Sequence, residues 1–165
     1  MQPIFVDIRN ELDRVHQETK VLKQAWTRFV SERESVFADP VLHWMAISAI
    51  GSGIEKVYSG IERILKMVAS DIDSSVPRDE AWHKTLLQRM ASDLPGIRPP
   101  VIRKETLAKL DGLRSFRHRV RYSYIADLDE SRLLSIAEDT FKALPEFEKD
   151  LTEFRNQLDP QHESG

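Results

Sequence analysis

From Phe5 to Phe29 the apolar positions fall at alternating steps of three and four: Phe5, Ile8, Leu12, Val15, Thr19, Leu22, Trp26 and Phe29. This narrow seam with one polar position predicts a long amphipathic helix that pairs with another helix. Asp39-Pro40 restarts the chain, with Asp39 placed to cap a helix and Pro40 suited to its first position. Leu42, Ala46, Ile50, Gly53, Val57, Ile61, Ile64 and Val68 then line one face at close to helical spacing. Gly51, Gly53 and Gly60 interrupt this second helix, each at a cost of about 1 kcal/mol relative to Ala. A phosphate loop is excluded, because no Gly-Lys-Ser/Thr follows and no strand precedes. Ala49, Gly53 and Gly60 are read instead as points where another backbone comes close.

Asp71 to Arg78 reads as a loop rich in Asp, Ser and Pro. A third helix is expected from about Asp79 to Asp93, with Trp82, Leu86, Leu87 and Met90 apolar. Leu94-Pro95-Gly96 ends it, and Pro99-Pro100 keeps the connection extended. The fourth helix is expected over Val101 to Tyr124, with Ile102, Leu107, Leu110, Leu113, Phe116 and Val120 on its apolar face. The fifth runs from about Glu130 to Leu158, where Pro145 must kink or split it. No alternating β pattern stands out, and Asp159 to Gly165 reads as a frayed tail. The expectation is an all-α, up-and-down bundle of about five helices forming one domain over residues 1–165.

Composition narrows the chemistry. The chain of 165 residues has no cysteine, which excludes disulfide frameworks, thiolate zinc sites and Cys nucleophiles. No apolar run approaches the ~20 residues of a membrane span, and the first residues carry acids rather than a basic leader. A cytoplasmic protein without membrane contact is expected. His16, His43, His83 and His162 show no paired spacing for a metal, so neither a metal nor another cofactor is assigned. His83, beside Trp82, is read as a packed, hydrogen-bonded residue.

Charge changes the picture more. Net charge is −3, yet Arg98 to Arg121 holds eight Lys/Arg against Glu105 and Asp111, a net of +6. Asp127 to Glu163 carries a net of −7. A strongly basic segment within an acidic protein points to a local anion site. On a helix, Arg114, Arg117, His118 and Arg121 share one face, where four potential cations repel one another unless a polyanion is present. Tyr122 and Tyr124 follow, able to stack on bases or to pack with wet hydroxyls.

The stretch Phe116-Arg117-His118-Arg119-Val120-Arg121-Tyr122-Ser123-Tyr124 resembles the signature of HepT-like HEPN proteins, the toxin half of HEPN–MNT toxin–antitoxin pairs. That signature is an Arg followed by Asn, Asp or His, then a catalytic His, then any residue and Tyr. Tyr58 to Leu65, Trp82-His83 with Leu86-Leu87, Arg98-Pro99 and Leu128-Asp129 resemble the family as well, so the likeness covers most of Leu42 to Leu134. The resemblance implies a helical homodimer with a composite, metal-independent endoribonuclease site acting on tRNA or mRNA. Arg117 would stabilise the phosphorane, with His118 and the residue at position 122 completing the catalytic group. Arg114, Arg119 and Arg121 would hold RNA. A cognate MNT-type nucleotidyltransferase antitoxin would silence the toxin by adding AMP to Tyr124.

One departure matters. The catalytic His position is Tyr122. A phenol ionises near pH ~10 and cannot shuttle protons at neutrality as imidazole does. Losing a general acid or base costs on the order of 10²–10⁴ in rate. The expectation is a toxin scaffold with impaired activity. The alternative is a non-enzymatic HEPN adaptor whose basic face binds RNA, a nucleotide or a protein.

Overall fold

The computed structural model describes residues 2–122 and 127–160. Its helices are α1 (Pro3–Ser31), α2 (Pro40–Asp71), α3 (Trp82–Met90), α4 (Lys104–Tyr122) and α5 (Glu130–Leu158), with a 3-10 turn at Val36–Ala38 before α2. The all-α bundle expected from the apolar spacing is the architecture observed. Asp39 caps α2 by accepting from the backbone N–H groups of Val41 and Leu42. Asp129 caps α5 in the same way through Ser131 and Arg132. The Ser131 hydroxyl, above all, holds the Asp129 carboxyl below its ordinary range.

Cross-helix contacts set the directions. Val15 faces Gly60 and Leu22 faces Gly53, so α1 and α2 run antiparallel, one heptad between the two contacts. A methyl at Gly60 would collide with Val15 Cγ2, and one at Gly53 would meet Leu22 Cδ1 at 2.8 Å. The glycines do permit close approach, and what approaches is the side-chain seam of α1. Phe5 meets Phe154 and Trp26 meets Phe141, which sets α5 antiparallel to α1. Trp26 also donates its indole N–H to the Leu134 carbonyl at 3.3 Å. Arg117 reaches Glu62 and Arg121 reaches Glu55, so α4 runs antiparallel to α2. The result is a four-helix up-and-down arrangement with the short α3 laid against α2 and α4.

All five helices feed one apolar core. Phe29, Ile50, Ile54, Ile61, Ile64, Leu65, Leu86, Leu87, Phe147 and Phe154 are almost fully buried within it. Four expectations change. Leu42 is exposed rather than part of the buried face of α2, as are Val41, Trp44 and Met45, while His43 turns inward to Phe29 and Glu130. The third helix is shorter than its pattern and begins at Trp82. The fourth begins at Lys104, not Val101. Val101 and Ile102 are buried ahead of it, their N–H groups donating to the Met90 carbonyl at 2.8 and 3.2 Å. Finally, α5 is not split at Pro145, since Leu144 and Phe147 anchor both sides of the proline in the core. Residues 161–165 of the expected tail lie outside the described residues. No helix among the described residues is long and apolar enough to cross a membrane.

Candidate functional site

The basic segment is less free than its sequence implies. Arg98 is fully buried and holds Asp73 with two hydrogen bonds, at 2.5 and 2.9 Å, while also donating to the carbonyls of Arg89, Ser92 and Pro99. It ties the α3–α4 connection together. Arg103 is taken by Asp150 at 2.5 Å and Glu146 at 2.6 Å on α5. Arg98 is closed to any partner, and Arg103, although part-exposed, already has two carboxylates.

The remaining arginines converge. A small cleft of about 80 Å³ is lined by His83, Arg114, Arg117, His118, Arg121 and Tyr122. Helical periodicity along α4 brings Arg114, Arg117, His118, Arg121 and Tyr122 to it, and α3 adds His83. Arg119 is exposed and does not line it. Tyr124 lies outside the described residues. The repulsion expected among these cations is answered from within the fold. Glu62 pairs with Arg117 at 3.0 Å, Glu55 with Arg121 at 3.1 Å, and Asp111 with Arg114 at 2.8 Å. Both glutamates come from α2, which packs along α4.

Glu62 is the centre of the arrangement. It is 5% exposed, and its two oxygens hold two different groups. Oε1 accepts from Arg117 Nη1 at 3.0 Å, and Oε2 meets His83 Nδ1 at 2.5 Å. An ionised carboxylate only accepts, so Nδ1–H is the donor to Glu62, and Nε2 is left without a hydrogen bond among the described residues. The imidazole also stacks on Trp82, with centroids 3.5 Å apart, and Lys66 lies over the far ring at 4.7 Å. The sequence reading of His83 as packed and hydrogen-bonded is correct as far as it goes. It missed that the same residue walls the cleft. No local pattern signals this, since Glu62 and His83 stand 21 positions apart on different elements.

Arg117 is 14% exposed and lies over the Tyr58 ring, 5.8 Å from its centroid. Its buried Nε has no partner among the described residues, and neither does the buried Tyr58 hydroxyl. Burial, and then Glu62, push the Tyr58 phenol far up, so it stays protonated. Tyr122 is different. It is 78% exposed and leans on His118, with centroids 5.0 Å apart.

A largely covered arginine braced by a carboxylate, two imidazoles and a wet tyrosine at one helix end can hold a phosphate-sized anion and exchange protons beside it. Pockets that enclose a whole ligand run to roughly 300–1,000 Å³, so the cleft of one chain admits an anionic group and not an entire nucleotide. Bundle and cleft together define an all-α helical-bundle protein with a basic, anion-sized cleft. A family model described as HepT-like protein matches residues 49–158, and the chain belongs to that family. The match spans most of α2 and all of α3, α4 and α5. No curated protein and no solved structure matches the chain.

Proposed function

We propose that this chain is a HepT-like endoribonuclease toxin of the cytoplasm, its activity held low by Tyr122. RNA phosphate would sit against Arg117, with Arg114 and Arg121 reaching toward the neighbouring phosphates. The ribose 2′-hydroxyl would attack the adjacent phosphorus while Arg117 stabilises the charge of the phosphorane. An MNT-type nucleotidyltransferase would neutralise the protein by adding AMP to Tyr124. One observation carries the reading: in a HepT-like chain, the part-buried Arg117 is held by Glu62 at a cleft that also gathers His118 and Tyr122.

The reading includes a homodimer that completes the cleft. Steps of three and four along α2 join Val41, Met45, Ser48, Ser52, Glu55, Ser59 and Glu62 on one face. That face passes from exposed apolar residues, with Trp44 57% exposed beside them, to the carboxylates behind the cleft. A second copy covering the apolar end would sit next to the site and enlarge it. Light scattering at micromolar concentration should give twice the monomer mass, and a monomer would remove the shared site.

The adaptor reading keeps one observation in its favour, the Tyr at the position of the motif His. Tyr122→His separates the two. The variant should cleave tRNA or mRNA with EDTA present and arrest growth, and adding Arg117→Ala should relieve the arrest. If purified Tyr122→His cuts neither RNA and cells tolerate it, the adaptor reading takes over.

A further inference from the structure

We infer that His83 is the proton-transfer group of this cleft and does the work its missing motif histidine would do; the inference rests on the ribonuclease reading above. Three constraints fix the imidazole. Glu62 Oε2 accepts a hydrogen bond from Nδ1–H at 2.5 Å, Trp82 stacks on one side of the ring at 3.5 Å, and the backbone of α3 begins one residue earlier. What is left is Nε2, with its lone pair in the neutral ring. The side chain is 33% exposed, and Nε2 makes no hydrogen bond within the described residues. His83 therefore meets the cleft with a base already oriented by a carboxylate, the arrangement that activates nucleophiles in hydrolytic sites.

Glu62 ties this base to the anion-binding group. Its other oxygen holds Arg117, so the imidazole and the guanidinium are separated by one buried carboxylate. Arg117 Nη2 makes no hydrogen bond within the described residues and stays free to donate to a phosphate oxygen. A phosphodiester on Arg117 brings its flanking ribose to the His83 wall. In the step, Nε2 takes the proton of the 2′-hydroxyl. The O2′–P bond forms and the P–O5′ bond breaks. The 5′-oxygen takes a proton from water, and the hydroxide left behind reclaims the proton from Nε2. The products are a 2′,3′-cyclic phosphate and a 5′-hydroxyl, with no metal or redox partner required. Glu62 acts through His83 and Arg117 and is a positioning residue.

The test compares cleavage of total tRNA by the purified wild-type protein, Tyr122→His, His83→Ala and His83→Asn. The wild type should show slow cleavage ending in cyclic phosphate. His83→Ala should lower it by about 10²–10⁴-fold, the span of a lost acid–base group. Free imidazole should restore His83→Ala, an effect that a merely structural role would not produce. His83→Asn, whose amide can still donate to Glu62, should keep the thermal midpoint and yet stay slow, which guards against simple misfolding. In the Tyr122→His background the His83→Ala loss should shrink, because the new imidazole takes over. If Tyr122→His cleaves while the wild type does not, or while His83→Ala matches the wild type, His83 has no catalytic part and the ribonuclease reading stands. If no form cleaves, both fall together.

Discussion

Helix α2 carries a buried charged contact on each of two sides, and the two are built for different ends. Toward α1 the seam is dry. Val15 and Leu22 press onto Gly60 and Gly53, and its buried carboxylate, Glu11, is answered by Arg63 and Arg14 with largely exposed side chains. Toward α4 and α3 the buried carboxylate is Glu62, and its partners Arg117 and His83 are themselves mostly covered. The first contact can come apart into water at little cost. The second cannot, because losing the carboxylate strands a buried cation. Polar atoms without partners also gather on the second side, where Tyr58 Oη and Arg117 Nε are both buried and unbonded among the described residues. The second seam thus holds groups that a purely structural interface would replace with apolar ones.

The largest expected effect breaks this contrast at its two glutamates. Glu62→Ala should lose about 3–5 kcal/mol in urea unfolding, the range for breaking a buried pair. Glu11→Ala should lose only about 1 kcal/mol, because its partners relax into solvent. Equal losses would erase the distinction between the seams. Next comes the dry seam. Gly60→Ala should cost about 1–3 kcal/mol by overpacking against Val15, whose branched side chain cannot swing away. Gly53→Ala should cost less, since it meets the movable end of Leu22. Equal midpoints for the two variants would refute the packing account.

Tyr58→Phe sharpens the polar seam in the opposite direction. Removing a buried hydroxyl without a partner should stabilise the fold by about 1 kcal/mol while keeping the ring beneath Arg117. In calorimetry that is a rise in Tm of about 2–4 °C, and a fall would mean that the hydroxyl has a partner. The smallest effect is a control outside both seams. A methyl at Gly112 on exposed α4 meets nothing within 4 Å, so Gly112→Ala should gain up to about 1 kcal/mol from helix propensity alone.

Much of the fold was legible because long helices advertise themselves. The seam from Phe5 to Phe29 and the face from Ile50 to Val68 are periodic over many turns, and both emerge buried, apart from the partly covered Leu12, Thr19 and Trp26. The Asp39 cap follows from local chemistry alone. Boundaries were less legible where burial is not helical. Val101 and Ile102 carry the apolar signal of a helix yet are buried ahead of α4, in a bend whose N–H groups bond to the Met90 carbonyl. At Pro145 local propensity opposed the helix, and core packing on both sides outweighed it.

The site divides in the same way. By itself the sequence determined that Arg114, Arg117, His118, Arg121 and Tyr122 share the end of one helix, because helical spacing is a local property. It also carried the family resemblance, on which Tyr122 reads as standing at the position of the motif histidine. Tertiary structure alone decided which charges remain available. Arg98 and Arg103 look like members of the basic face and are spent on Asp73, Asp150 and Glu146. It also decided that Glu62, on a helix that reads as core, would brace Arg117, and that His83 would meet the same carboxylate from α3. Glu62 precedes His83 by 21 positions and Arg117 by 55. No periodicity relates residues so far apart, and only the packing of α3 and α4 against α2 brings them within hydrogen-bonding reach.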